Sequence, residues 1–231
     1  MKNTIIQVLL LSALLLIPAV LRAQNDPEYR MEIGVGGGMM NYIGDFNGSI
    51  VRNFQPSATL LVRRIFNPYM GLKANVSYGK MKGNSKDEDT YYPYMPEEGY
   101  QFDNTLIDLS ITYEYNFWPY GTGRDYRGSK RLTPFVFGGV GGTYASGEDK
   151  DVFTANIPIG LGVKYKMGAR TNLGLEWAMH FSFSDKLDGM PDAYTISSKG
   201  PFKNTDCYST LFVTFTYSFM AKCRTCHNDN E

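Results

Sequence analysis

Alternation with a period of two runs through this chain and limits what it can fold into. From Phe153 to Lys166 the sequence reads FTANIPIGLGVKYK. Phe153, Ala155, Ile157, Ile159, Leu161, Val163 and Tyr165 fall on odd positions, and Thr154, Asn156, Gly160, Gly162, Lys164 and Lys166 on even ones. A strand turns these two sets to opposite faces. Asn104 to Phe117, Thr171 to Phe183 and Thr210 to Phe219 repeat the scheme, and Tyr29 to Met40, Gln55 to Arg64 and Tyr69 to Lys80 follow it more weakly. Thr133 to Tyr144 is a further strand, but its glycines leave the two faces ambiguous. The pattern predicts eight strands of about 10 to 14 residues and no helix of useful length.

Eight antiparallel strands close into a barrel, and about ten tilted residues cross a bilayer. Alternation alone does not say which face is inside. The apolar faces are long and carry Tyr, Phe and Trp near the strand ends, as interfacial girdles require. The chain holds 17 Tyr, 14 Phe and 2 Trp. The polar faces mix charges with Gly and Ser, which suits a narrow filled interior. The expected fold is therefore all-β: an eight-stranded antiparallel transmembrane barrel of the outer-membrane type with a closed polar interior. Lys+Arg and Asp+Glu are equal at 23 each, so no overall charge points to nucleic acid.

Residues 1–23 read as a secretory signal peptide: Lys2, an apolar run from Ile5 to Ile17, and Ala23 as the small residue before the cut. The barrel is expected over 24–220, and 221–231 as a short periplasmic tail. The short connections 66–68 and 167–169 are placed in the periplasm, together with both termini. The connections 41–53, 81–103, 145–152 and 184–207 are placed outside. The connection 118–132, WPYGTGRDYRGSKRL, falls at the periplasmic end and is long.

The predicted lumen holds Glu32, Asp108, Glu114 and Glu176 with Arg63, Lys73 and Lys164. Unpaired buried charge is costly, so these side chains should pair into a plug. The connection 118–132 carries Trp118, Tyr120, Arg124, Tyr126, Arg127, Lys130 and Arg131 against Asp125. Arg and aromatic residues are favoured interface anchors, so this segment is the candidate partner surface; a basic turn touching anionic headgroups is the plainer alternative. The acidic residues of 81–103 suit a solvated loop better than a calcium site. Catalysis would need His180, Ser182 and Asp185 at the outer rim, and the spacing turns His180 inward among ordinary polar neighbours. No enzymatic activity and no cofactor is expected. GVGGG (34–38) and GGVGG (138–142) open no helix and are not phosphate loops.

The C-terminal KCRTCHNDNE contains the spacing of a haem-attachment motif. A haem also needs a second axial ligand and an apolar pocket, and too little chain surrounds the motif to supply them. Two readings of Cys223 and Cys226 stand: a local disulfide loop, or a bond to a periplasmic partner. Cys207 opens the last strand at its outer end, too far away to join them.

NYIGDF (41–46), FNPYMGLK (66–73) and VSYGKMKG (76–83) resemble the PorG-like outer-membrane barrels of the type IX secretion system. The resemblance implies an accessory or scaffold component in the outer membrane, associated with the periplasmic ring formed by PorK and PorN and needed for protein export. It carries no catalytic residues with it. The competing expectation is a stand-alone outer-membrane barrel for adhesion or envelope integrity, with an outer-membrane hydrolase a distant third.

Overall fold

The structure, a computed structural model, describes residues 28–43, 54–84, 101–120, 130–146, 151–183 and 207–221. The segment read as a signal peptide, most of the four long connections and the cysteine-bearing tail lie outside the described residues. Within them are eight strands: β1 Tyr29–Ile43, β2 Gln55–Asn67, β3 Met70–Asn84, β4 Gln101–Asn116, β5 Leu132–Ser146, β6 Asp151–Lys166, β7 Thr171–Ser182 and β8 Cys207–Ala221. Each pairs antiparallel with its neighbours in sequence, and β1 pairs with β8 to close the barrel. Closure leaves no sheet edge exposed.

Alternation decides which side chains go in. On β4, Asp108, Ser110, Thr112, Glu114 and Asn116 are buried, while Ile107, Leu109, Ile111, Tyr113 and Tyr115 stand exposed. β6, β7 and β8 behave the same way. The exterior is thus a belt of Val, Ile and Leu. Phe66, Tyr69, Tyr115, Phe117, Trp118, Tyr165 and Tyr217 border it at one end, and Tyr78, Tyr144, Phe153 and Phe183 at the other. Polar inside and apolar outside is the arrangement that hydrocarbon demands and water forbids. The chain is a transmembrane-type barrel.

The strands run 12 to 16 residues, longer than expected from the sequence. About 9–11 tilted residues suffice to cross. The excess lies mainly at one end, where β1 reaches Ile43, β3 reaches Asn84, β4 starts at Gln101 and β8 at Cys207. Cross-strand pairing continues there past the apolar belt, and Lys82 Nζ lies 2.9 Å from Asp103 on the outer face. The other end carries two tight turns. Asn67 Oδ1 accepts from the Tyr69 N–H at 2.8 Å. The N–H groups of Met167 and Gly168 both donate to the Thr171 carbonyl, at 3.0 and 3.1 Å. Both ends of the barrel sequence, Tyr29 and Ala221, pair beside each other at this short-turn end. Cys207 lies at the opposite end of β8, about 50 Å along the strand from Ala221.

Leu161 and Leu175 face outward in mid-belt. Leu161→Arg or Leu175→Arg is expected to destabilise the barrel by about 2–4 kcal/mol in urea unfolding from lipid vesicles. A neutral Leu161→Arg together with an unfolding Lys164→Met would mean that the faces are reversed.

Candidate functional site

The interior is organised by Arg63. Its position on β2 is lumen-facing by parity, and register places it opposite Glu32 on β1 and Lys73 on β3. Its guanidinium meets three carboxylates from three strands. Nη1 lies 2.5 Å from Glu32 Oε2, Nε 2.7 Å from Glu114 Oε2, and Nη2 3.2 Å from Glu176 Oε1. Lys164 Nζ takes the Glu114 carboxylate at 2.6 Å and the Asn116 amide oxygen at 3.2 Å. Lys73 Nζ pairs with Glu176 and sits 3.6 Å from Glu114. Three bases and three acids therefore form one buried, mutually neutral cluster among the described residues. Glu32 gains two further donors, Asn172 Nδ2 at 3.2 Å and the Ser218 hydroxyl at 3.3 Å.

β5, whose faces the sequence left open, points Phe135 and Phe137 into this cluster. The Lys164 ammonium lies 4.2 Å from the Phe135 ring centre and the Lys73 ammonium 4.3 Å from that of Phe137. The rings fit because β6 is glycine opposite them. A Cβ at Gly160 would stand 2.4 Å from Phe137 Cζ, and one at Gly162 would stand 2.7 Å from Phe135 Cε1. The remaining void among Arg63, Glu114, Lys164 and Tyr120 is about 10 Å³, room for roughly one water. The cluster is a plug.

Asp108 departs from the expected network. It shares the face of Glu114 on β4, but six residues further along, about 20 Å away. There it accepts from the Tyr208 hydroxyl at 2.8 Å, Asn156 Nδ2 at 2.6 Å, Ser110 Oγ at 2.9 Å and Thr143 Oγ1 at 3.3 Å. His180 stacks on Tyr208, with ring centres 4.4 Å apart, and its Nδ1 lies 3.9 Å from Asp108 Oδ2. This second cluster satisfies its carboxylate with neutral donors instead of Arg63. Ser182 shares the lumen face with His180, but its hydroxyl is directed to Thr154 Oγ1 at 3.4 Å, and Asp185 lies outside the described residues. The residues considered for catalysis are thus fully buried polar packing where they are described.

At the short-turn end, Tyr120 also departs from expectation. It is 4 % exposed, and its hydroxyl donates to Asn172 Oδ1 at 2.9 Å. The chain after β4 folds back over the barrel mouth, where the Tyr120 N–H reaches the Pro68 carbonyl at 3.0 Å. Tyr120 therefore closes the mouth and is not a surface anchor. Trp118 stays on the surface, 40 % exposed, with the Lys130 ammonium 4.6 Å from its ring centre. Arg131 is exposed next to them. Arg124, Tyr126 and Arg127 lie outside the described residues, as do Cys223 and Cys226. The sequence reading did not anticipate Arg170, in the β6–β7 turn of the same rim. Its Nε donates to the Tyr29 hydroxyl at 3.1 Å and its Nη1 to the Tyr217 hydroxyl at 3.3 Å.

Fold and interior together define a class: a small barrel of the outer-membrane type, filled rather than open. The match of a family model to residues 8–228 gives the particular family, and the chain belongs to the one described as domain of unknown function DUF6089. No curated protein matches the chain in sequence. Solved structures similar to it include the outer membrane protein OprG from Pseudomonas aeruginosa, at 10% identity and TM-score 0.49, covering 85% of this chain and 99% of that one. Neisserial surface protein A is similar at 14% identity and TM-score 0.48, covering 82% and 97%. Ail of Yersinia pestis is similar at 12% identity and TM-score 0.45, covering 84% and 99%.

Removing Arg63 would leave three carboxylates facing two lysines in a buried interior. Arg63→Met is expected to cost about 3–5 kcal/mol in urea unfolding of the refolded barrel. The double variant Lys73→Met/Glu176→Gln removes a matched pair and is expected to cost less than either single change. Additive losses in that cycle would contradict the pairing.

Proposed function

We propose that this chain is an outer-membrane scaffold component of the type IX secretion system, which docks the periplasmic PorK/PorN-type ring at the membrane. The observation that carries this reading is a filled barrel with an exposed basic and aromatic rim. Among the described residues a plug of three acids and three bases fills the lumen. The working parts are then the surfaces. At the short-turn end, Trp118, Lys130 and Arg131 form a fixed patch of the residue types that anchor protein interfaces. The resemblance of 41–46, 66–73 and 76–83 to PorG-like barrels supports the same assignment. In this reading the short-turn end faces the periplasm, the connections 41–53, 81–103, 145–152 and 184–207 face outside, and the chain holds no substrate and no cofactor.

The orientation is tested by single cysteines at Ser85 and Ser129 in a background lacking Cys207, Cys223 and Cys226. A membrane-impermeant maleimide on whole cells is expected to label position 85 and spare 129; the reverse would invert the barrel. The docking role is tested by affinity purification from solubilised outer membranes. The ring proteins are expected to accompany the wild-type chain and to be lost with Trp118→Ala/Lys130→Glu/Arg131→Glu, while heat-modifiable migration shows the barrel still folded. Absence of the ring from the wild-type eluate, or its undiminished recovery with the triple variant, would overturn the reading. Non-reducing gels of the same eluate decide between the two roles of Cys223 and Cys226. A high-mass band that collapses with thiol and is absent when both are Ser marks a bond to the partner; a monomer throughout marks the local loop.

A further inference from the structure

Among the described residues the barrel wall departs from regular pairing near the short-turn end, at a bulge between Ile65 and Asn67 and beside Met220, and once in mid-wall, between β5 and β6. The β5–β6 ladder runs from Leu132↔Tyr165 to Gly138↔Ile159 and resumes at Gly141↔Asn156. The two intervening pairings, Gly139 with Pro158 and Val140 with Ile157, do not form. Pro158 explains the break. Its carbonyl lies on the β5 side, 3.8 Å from where a Gly138 Cβ would stand, so its nitrogen also faces β5 and has no hydrogen to give. Proline in sheets is normally confined to edges or bulges, and a closed barrel has no edge to offer.

The outer face is hollow beside the break, at the last intact pair, Gly138 and Ile159. Gly138 points outward and supplies no side chain, and a Cβ there would meet nothing closer than that carbonyl. The result is a recess of about 670 Å³, walled by Tyr113, Ile159, Leu161, Trp177, Met179 and Phe181, with Gly138 and Gly160 among its lining. A volume of this size falls in the range of about 300–1,000 Å³ that holds small ligands. The recess lies within the apolar belt, between the two rows of exposed aromatic residues.

We propose that this recess binds one hydrocarbon chain of a membrane lipid. Its walls offer no charge to pair and present apolar and aromatic surface. The surroundings of that belt are hydrocarbon by the same argument that makes the fold a transmembrane one. A second copy presents a convex wall, which would bridge a hollow rather than enter it, whereas a flexible chain can follow its floor. The inference rests on the transmembrane reading of the fold and is independent of the secretion role.

The chain has two tryptophans, so Trp118→Phe leaves Trp177 as the sole indole, inside the recess. Refolded in detergent micelles, this protein is titrated with phosphatidylcholine carrying brominated acyl chains, which quench indole emission on contact. Quenching is expected to saturate at about one lipid per barrel. Gly138→Phe fills the hollow without displacing backbone and is expected to raise the half-saturating lipid concentration by roughly tenfold or more. Val35→Phe, an outward substitution on β1, is expected to leave the titration unchanged. Heat-modifiable migration checks that each variant is folded. Three results would each overturn the proposal: quenching that rises without saturation in all proteins marks ordinary annular contact; saturation unmoved by Gly138→Phe places the lipid elsewhere; and unquenched Trp177 with a doubled particle mass gives the recess to a second copy.

Discussion

A single guanidinium holds the interior together. Arg63 reaches Glu32, Glu114 and Glu176, which come from β1, β4 and β7. The geometry suits arginine and would not suit lysine, because a planar fork offers donors in several fixed directions at once. Closure and pairing depend on each other here. Glu32 and Arg63 face each other on adjacent strands, but Glu176 is 113 residues from Arg63 and meets it only when the sheet has curled shut. An unclosed sheet would leave these charges facing one another without their partners. A closed sheet lacking them would leave a gap that eight strands are too few to hold open for water and too many to fill with glycine.

The two sides of the wall then follow from one alternation. Each residue that pairs inside places its neighbours against hydrocarbon. Where the pattern breaks, another element compensates. Phe135 and Phe137 turn inward from β5 because Gly160 and Gly162 on β6 make room for them, and their faces then receive the two lysine ammonium groups. A cation over an aromatic ring keeps part of its stabilisation in a dry site. The same glycine habit on the outer side, at Gly138, leaves a hollow where no large neighbour fills the space. Glycine thus marks both the tightest and the loosest parts of this barrel.

Strand number and the facing of seven strands were legible in the sequence because period two maps directly onto inside and outside. The eighth, β5, was not, because glycine carries no preference for either face and its two inward phenylalanines contradict the rule that aromatic residues mark the lipid side. Parity also gives no height. Asp108 and Glu114 share a face of β4, so both read as one network. Register separates them by about 20 Å and gives Asp108 the hydroxyl and amide donors of β5, β6 and β8 instead. Tyr120 was misplaced for a related reason. It lies beyond the end of β4, where periodicity stops, and only the fold of the connection shows that its hydroxyl returns to Asn172. Pro158 was visible in the sequence, but its consequence for the β5 ladder depends on which neighbour its nitrogen faces.

The rim and the plug are one hydrogen-bonded body. The Tyr120 hydroxyl donates to Asn172, Asn172 donates to Glu32, and Glu32 pairs with Arg63. Two residues earlier, the Trp118 N–H donates to the Thr133 hydroxyl, which in turn donates to the Trp118 carbonyl, each at 3.1 Å. The Lys130 N–H closes the connection against the Pro119 carbonyl at 3.0 Å. Trp118 and Lys130 are therefore exposed side chains on a backbone fixed from below. An interface loses affinity for every rotamer and loop it must order on binding, so a patch ordered in advance binds more tightly for the same contacts. In this barrel the buried charges fill the lumen among the described residues, and their hydrogen bonds continue through Asn172 to Tyr120, two residues from the exposed Trp118.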